Sequence, residues 1–380
     1  MKVAGPWLEH DGTQALCRAL EDGGHQALFV GGCVRNALMG QAVNDIDIAT
    51  DALPETVSIL AKNAGFRVVP TGIAHGTVTV IAGDLAHEVT TFRRDVETDG
   101  RHAVVAFSTT VAEDAARRDF TINALYADRH GTVIDPLGGL PDLLSRKVRF
   151  VGEADARITE DYLRILRFFR FSAHYGDPVA GIDAEGLAAC AAHSAGIETL
   201  SRERVGAEMR KLLQAIDPAP AVCSMAASGV LAEVLPGSDT RALAPLVHLE
   251  AGAPPRWLRR LAVLGGQDPG MNLRLSRREI ADLGKLRDAL GGIAAPAALG
   301  FVLGGELGAD AVLARAAMME QPLHPNWRAE VVRGSRAEFP LRAADLMTRY
   351  QGAALGAALQ SARKRWLDSN LVLTRAELLD

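Results

Sequence analysis

The segment from Leu28 to Thr50, LFVGGCVRNALMGQAVNDIDIAT, constrains the fold more tightly than any other part of the chain. A β-rich run enters Gly31 and Gly32, and a helical stretch follows at once. Glycines at such a junction let the backbone approach a ligand, and the first turn of the helix offers unpaired N–H groups to an anion. Arg35 lies on that turn. The next strand carries Asp45 and Asp47, whose spacing of two puts both carboxylates on one face and Ile46 and Ile48 on the other. Two carboxylates on one face repel each other unless a cation sits between them. Hard oxygen ligands beside a phosphate-binding turn favour Mg2+.

The surrounding pattern is α/β. Ala27–Val30, Asp45–Ala49, Thr77–Ala82 and Glu88–Phe92 read as strands from their β-branched content and alternation. Leu53–Ala64 reads as a helix, with Pro54 in its first turn and Gly65 as its stop. The polar stretch Arg93–His102 (RRDVETDGRH) is expected to be a mobile loop. After about residue 150 the chain turns to long Ala/Leu/Arg-rich segments. Breaks at Asp177-Pro178, Asp217-Pro218, Pro236-Gly237 and Pro254-Pro255 divide them, so the remainder is expected to be all helical. The fold class is therefore α+β, an α/β head with a small mixed sheet followed by helices. The dipeptide His10-Asp11 has no helical array of His and Asp around it and is not read as a phosphohydrolase centre.

With 380 residues the chain has room for two or three sub-domains. No apolar run reaches the ~20 residues of a membrane span, and the first residues carry charges and Gly-Pro where a secretory signal is apolar. Cys17, Cys33, Cys190 and Cys223 are too scattered for a disulfide framework or a zinc ribbon. A soluble protein of the reducing cytoplasm is expected. The net charge of −5 hides an asymmetry: residues 1–150 hold 14 Lys and Arg against 19 Asp and Glu, while residues 151–380 hold 27 of each. Clusters at Arg256, Arg259 and Arg260, at Arg274, Arg277 and Arg278, and at Arg363, Lys364 and Arg365 could hold phosphates or be solvated helix faces.

At this point the sequence resembles the DNA polymerase β nucleotidyltransferase superfamily, and within it the bacterial-type (class II) tRNA CCA-adding enzymes and their poly(A) polymerase relatives. Beyond Leu28–Thr50, Arg117–Ala124 (RRDFTINA) looks like the family's ribose-binding motif and Asp135–Asp142 (DPLGGLPD) its hinge-like motif. Glu160–Arg170 (EDYLRILRFFR) resembles the nucleotide-selecting helix, and Ser201–Leu213 (SRERVGAEMRKLL) the helix that braces it. Thr71–Thr77 and Thr90–Asp95 also match. The resemblance implies that Asp45 and Asp47 hold two metal ions, with Glu88 as the third carboxylate, on a strand expected beside that of Asp45. Gly31, Gly32, Arg35, Arg117 and Arg118 would serve the phosphates, Asp119 with Asn123 the ribose, and Asp161, Arg164 and Arg167 the base. Asn36 departs from the family, which usually has Asp after GGxVR; a capping role is expected to survive there.

The Asp161 and Arg164 pair can also be argued from chemistry. Residues i and i+3 share a helix face, so an acceptor and a donor are offered together to the same base edge. Cytosine and adenine present an amine beside a ring acceptor; uracil and guanine present the reverse. The pair would accept C and A and leave U and G unsatisfied. What the resemblance implies is addition of CCA to tRNA from CTP and ATP. The head would span residues 1–145, a helical neck 146–215, and a tRNA-binding body and tail 216–380, with no membrane and no protein partner implied. A poly(A) polymerase, or an enzyme adding only CC or only A, is the alternative. The short acidic ending TRAELLD and the Arg93–His102 stretch favour full CCA addition. A catalytically silent RNA-binding protein on the same scaffold is the reading from a different class.

Overall fold

The computed structural model describes residues 1–99 and 102–380, and the chain divides into two compact units. The first comprises Met1–Leu200 with Ser228–Val230, the second Ser201–Ala227 with Leu231–Asp380.

Seven strands form the main sheet of the first unit: β1 (Leu28–Val30), β2 (Ile46–Thr50), β3 (Arg67–Gly72), β4 (Thr77–Ala82), β5 (Leu85–Thr91), β8 (Tyr126–Ala127) and β9 (Val133–Ile134). Their spatial order is β3-β4-β5-β2-β1-β8-β9. All neighbours are antiparallel except β2 and β5, so the small mixed sheet expected from the sequence is present. That parallel pair needs a crossover, supplied by helix Pro54–Asn63 and the β3–β4 hairpin. Alternation decides the faces. On β4, Val78, Val80 and Ala82 are buried, and on β2, Ile46 and Ile48 are, as the spacing predicts.

Two strands occupy the stretch expected to be a loop: β6 (Arg93–Asp99) and β7 (His102–Phe107) pair antiparallel, from Arg93↔Phe107 to Asp99↔His102. Gly100 and Arg101 lie outside the described residues. Backbone pairing defines this ribbon, and pairing leaves little trace in a polar composition. β3, β8 and β9 were likewise not expected; the last two are only two residues long.

Helices Ala154–Glu160 and Leu163–Tyr175 complete the chemistry-bearing part of this unit. The second buries Leu163, Ile165, Leu166, Phe168, Phe169 and Phe171 along one stripe. Phe168 and Phe171 join Phe120 and Phe150 in an aromatic cluster with centroids 5.0–6.3 Å apart.

The second unit is helical, as expected. Helix Pro296–Met318 is the one helix among the described residues long and apolar enough, by length and composition, to cross a membrane. It kinks at Gly304, and crosses helix Trp327–Ser335 so closely that a Cβ on Gly334 would stand 1.8 Å from the Ala297 carbonyl. A buried ion network ties this helix to its neighbours. Glu250 accepts both Arg259 (2.6 Å) and Arg260 (2.6 Å), Asp310 accepts Arg259 (2.9 Å) and Arg256 (2.7 Å), and Arg260 also donates to the carbonyls of Leu213, Ala215 and Ile216. Arg259 and Arg260 are 3% and 1% exposed. The Arg256–Arg260 cluster is therefore neither a solvated face nor free for phosphate. Each buried guanidinium instead requires a carboxylate partner. The clusters at Arg274, Arg277 and Arg278 and at Arg363, Lys364 and Arg365 are exposed.

Candidate active site

The Gly31 turn and three carboxylates lie around the end of β1 and the start of β2, with Glu88 midway along β5. Gly31 has φ 70 and ψ −118, a conformation closed to residues with a Cβ, and a Cβ built there would lie 3.3 Å from Arg118 Nη1. The turn is thus shaped around an arginine. Helix Gly32–Leu38 starts at once, as the sequence predicts. Asp45 is exposed just before β2, and Asp47 is half-buried on it. The parallel register sets Asp47 directly beside the exposed Glu88, so the two side chains share a face. Burial first, then the charges of Glu88 and Asp45, push Asp47 up to about 6, while Arg118 opposes them. Among the described residues no three His, Cys, Asp or Glu side chains form a ready-made metal cage.

Arg35 is 6% exposed and turned inward. It donates to Asn36 Oδ1 (2.8 and 3.1 Å), to Asn123 Oδ1 and to the Tyr175 hydroxyl (2.7 Å), and its guanidinium lies 3.9 Å from the Tyr175 ring centroid. Asn123 in turn donates to Asp119 (2.9 Å), whose other oxygen accepts Arg167 (2.8 Å). The residues expected at phosphate, ribose and base thus form one hydrogen-bonded chain from the Gly32–Leu38 helix to the Leu163–Tyr175 helix. Tyr175 was missed because nothing in the motif marks it; only the fold brings the end of that helix to Arg35. Asn36 caps no helix. Its Nδ2 donates to the Ala42 carbonyl (3.0 Å) while its oxygen serves Arg35.

Arg117 and Arg118 both reach the buried Asp114, at 3.1 and 3.0 Å. Burial alone would raise this carboxyl, but Arg118, Arg117 and the Tyr126 hydroxyl outweigh it and hold it at about 2.

The Asp161–Arg164 geometry differs from the expected one. Helix Ala154–Glu160 ends before Asp161, which is extended at φ −156 and ψ 104, and the next helix begins at Leu163. Asp161 instead receives the Leu163 N–H (3.1 Å), satisfying a free donor at the start of that helix. Arg164 donates to Glu160, to the Arg157 carbonyl (2.7 Å) and to the Arg117 carbonyl (3.3 Å). The acceptor and donor stay three residues apart, at a break between two helices and not along one helix face. Glu160, which the base-reading argument passed over, is the carboxylate that holds Arg164.

His10 caps helix Asp11–Asp22 through Nδ1 and contacts Asp84 through Nε2, a structural use of that dipeptide. Asp135, in the hinge-like motif, accepts the Gly139 and Leu140 N–H groups, and Asp142 accepts Thr121 and Arg149.

The profile of the Poly A polymerase head domain matches residues 27–149, and that of the probable RNA and SrmB-binding site of polymerase A matches residues 181–241. The mitochondrial CCA tRNA nucleotidyltransferase 1 of Homo sapiens is 41% identical over 217 residues, 56% of this chain and 50% of the relative, so the matched part spans half of that protein's length. The CCA-adding enzyme of Geobacillus thermodenitrificans is 37% identical over 325 residues, 82% of this chain and 78% of the relative. The structure of the Bacillus stearothermophilus CCA-adding enzyme in complex with CTP superposes with a TM-score of 0.74 at 30% identity, covering 96% of this chain and 94% of that one. Agreement of this extent, over both the carboxylate-bearing sheet and the helices that follow it, establishes that the chain belongs to the CCA-adding enzyme family of the nucleotidyltransferase superfamily.

Proposed function

We propose that this protein adds CCA to the 3′ end of tRNA, taking CTP and ATP as substrates and releasing pyrophosphate. The observation that carries the reading is the register of Asp47 beside Glu88, with Asp45 adjacent and Arg118 packed against the Gly31 turn. Enzymes of this superfamily use divalent metal ions. The donor set fits Mg2+: hard carboxylate oxygens alone, where burial first and then the charges of Glu88 and Asp45 raise Asp47, and a cation would relieve that repulsion. Asp45 and Asp47 would hold two ions, with Glu88 as the third carboxylate, and substrate oxygens would complete the shells that the protein leaves open. When bound, the ions would lower the pKa of the tRNA 3′-hydroxyl and neutralise the triphosphate.

The chain's own residues supply the rest. The Gly31–Gly32 turn and Arg118 receive phosphates, with Arg117 and Arg35 in support. Asp119 and Asn123 would read the ribose hydroxyls. Asp161 and Arg164, at the helix break, offer one acceptor and one donor to a base edge. This combination accepts cytosine and adenine and leaves uracil and guanine with unsatisfied groups. Residues 1–145 act as the head, 146–215 as the neck, and 216–380 as the body and tail that hold tRNA. All four cysteines are free, which suits a cytoplasmic protein.

The experiment is to offer tRNA lacking its CCA end together with CTP and ATP, and to sequence the product. CCA and nothing longer supports the reading; long A tails assign a poly(A) polymerase, and no incorporation assigns a silent RNA-binding protein.

A further inference from the structure

Asp114 lies outside every motif singled out in the sequence, three and four residues before the arginine pair, and its side chain is 2% exposed. Its carboxylate accepts five hydrogen bonds. Oδ1 takes the Arg93 backbone N–H (3.2 Å) and Arg117 Nε (3.1 Å); Oδ2 takes Arg118 Nε (3.3 Å), Arg118 Nη2 (3.0 Å) and the Tyr126 hydroxyl (2.7 Å). Arg118 Nε also donates to that hydroxyl (3.0 Å). Two of the three guanidinium nitrogens of Arg118 are thereby fixed from behind. The third, Nη1, has no hydrogen-bond partner among the described residues and lies beside the Gly31 turn. A planar guanidinium held along one edge presents its remaining donors in one direction, which is the geometry phosphate recognition needs.

We propose that Asp114 is a positioning residue for nucleotide binding: with Tyr126 it clamps Arg118 so that Nη1 faces an incoming triphosphate at the Gly31 turn, and it anchors the first residue of the β6–β7 ribbon to the same point. The proposal rests on the placement of the nucleotide given above. An arginine without this clamp would sample many rotamers and lose order on binding. Asp114 is buried behind Arg117 and Arg118, so it acts through the arginines.

The test is a double-mutant cycle on the full chain, read as the Kd for CTP with Mg2+ and without tRNA, by calorimetry, with melting temperatures recorded in parallel. Asp114→Asn is expected to weaken CTP about tenfold, equivalent to about 1.4 kcal/mol. Arg118→Ala should weaken it at least as much. Combining the two should cost clearly less than the sum of the single effects, because the clamp on Arg118 has no effect once that group is gone and only the hold on Arg117 remains. Tyr126→Phe removes only the hydroxyl that touches both partners, and should weaken CTP a few-fold in the native chain and not at all in Arg118→Ala. It carries the same test should Asp114→Asn fail to fold. Effects that add in the double variants, or wild-type affinity in Asp114→Asn and Tyr126→Phe while Arg118→Ala is weak, would overturn the clamp alone. Wild-type affinity in Arg118→Ala would overturn both the clamp and the nucleotide placement on which it stands.

Discussion

Replacing Glu250 with Gln tests whether the Arg256–Arg260 segment is architecture or an RNA surface. Glu250 is 2% exposed and is the carboxylate shared by Arg259 and Arg260. Gln keeps the shape and loses the charge. Arg260 is then left with backbone carbonyls only, and Arg259 with Asp310, so a positive charge stays in the interior without its partner. Breaking a buried pair from one side costs about 3–5 kcal/mol. For a unit of this size that corresponds to a fall in Tm of roughly 6–20 °C. The assay is thermal unfolding followed by circular dichroism, alongside CTP affinity at a temperature where both proteins are folded. The expected result is a large loss of stability with CTP affinity unchanged, because no nucleotide-site residue touches the network. If the arginines were instead phosphate ligands held back by Glu250, the substitution would leave stability within about 1 kcal/mol of the native value and strengthen tRNA binding. That outcome would refute the reasoning.

Asp45→Ala and Asp47→Ala should each abolish nucleotide incorporation while the melting temperature stays near the native value, since neither side chain is part of the apolar core; turnover near normal would remove the metal assignment. Arg164→Ala should reduce discrimination between CTP and UTP, measured as the ratio of kcat/KM values, and an unchanged ratio would move base reading elsewhere. Deleting residues 96–104 of the β6–β7 ribbon, while keeping the Arg93 N–H on Asp114, should give an enzyme that adds two C residues and stalls before A; normal A addition would show that the ribbon is not needed for the change from C to A. Asp114 is held at about 2 in the fold against an ordinary 3.8, so it contributes about 2 kcal/mol of stability above pH 4 that is lost as pH falls towards 2. Urea denaturation of Asp114→Asn should show that loss already at pH 7 and a flatter acid limb, and parallel acid limbs in the two proteins would contradict the pairing.

Local features were legible in the sequence because they depend on near neighbours along the chain. The strand–Gly31–helix junction, the burial of Ile46 and Ile48, the alternation of β4 and the change to helices after residue 150 follow from glycine geometry and from periods of 2 and 3.6. The motifs carried the family through the same short spans. Tertiary structure decided whatever depends on pairing between distant segments. The register that sets Glu88 beside Asp47 is a parallel contact across 41 positions of chain, and the sequence could name the acid but not its alignment. The polar Arg93–His102 stretch became a ribbon because backbone groups find partners independently of side-chain apolarity. The helix stops at Asp161 although nothing in the residue pattern there announced a break. Arg35 turned inward to Tyr175, and Arg259 and Arg260 turned from surface charges into a buried network, for one reason: a guanidinium goes where its acceptors are, and the fold alone says where those acceptors lie.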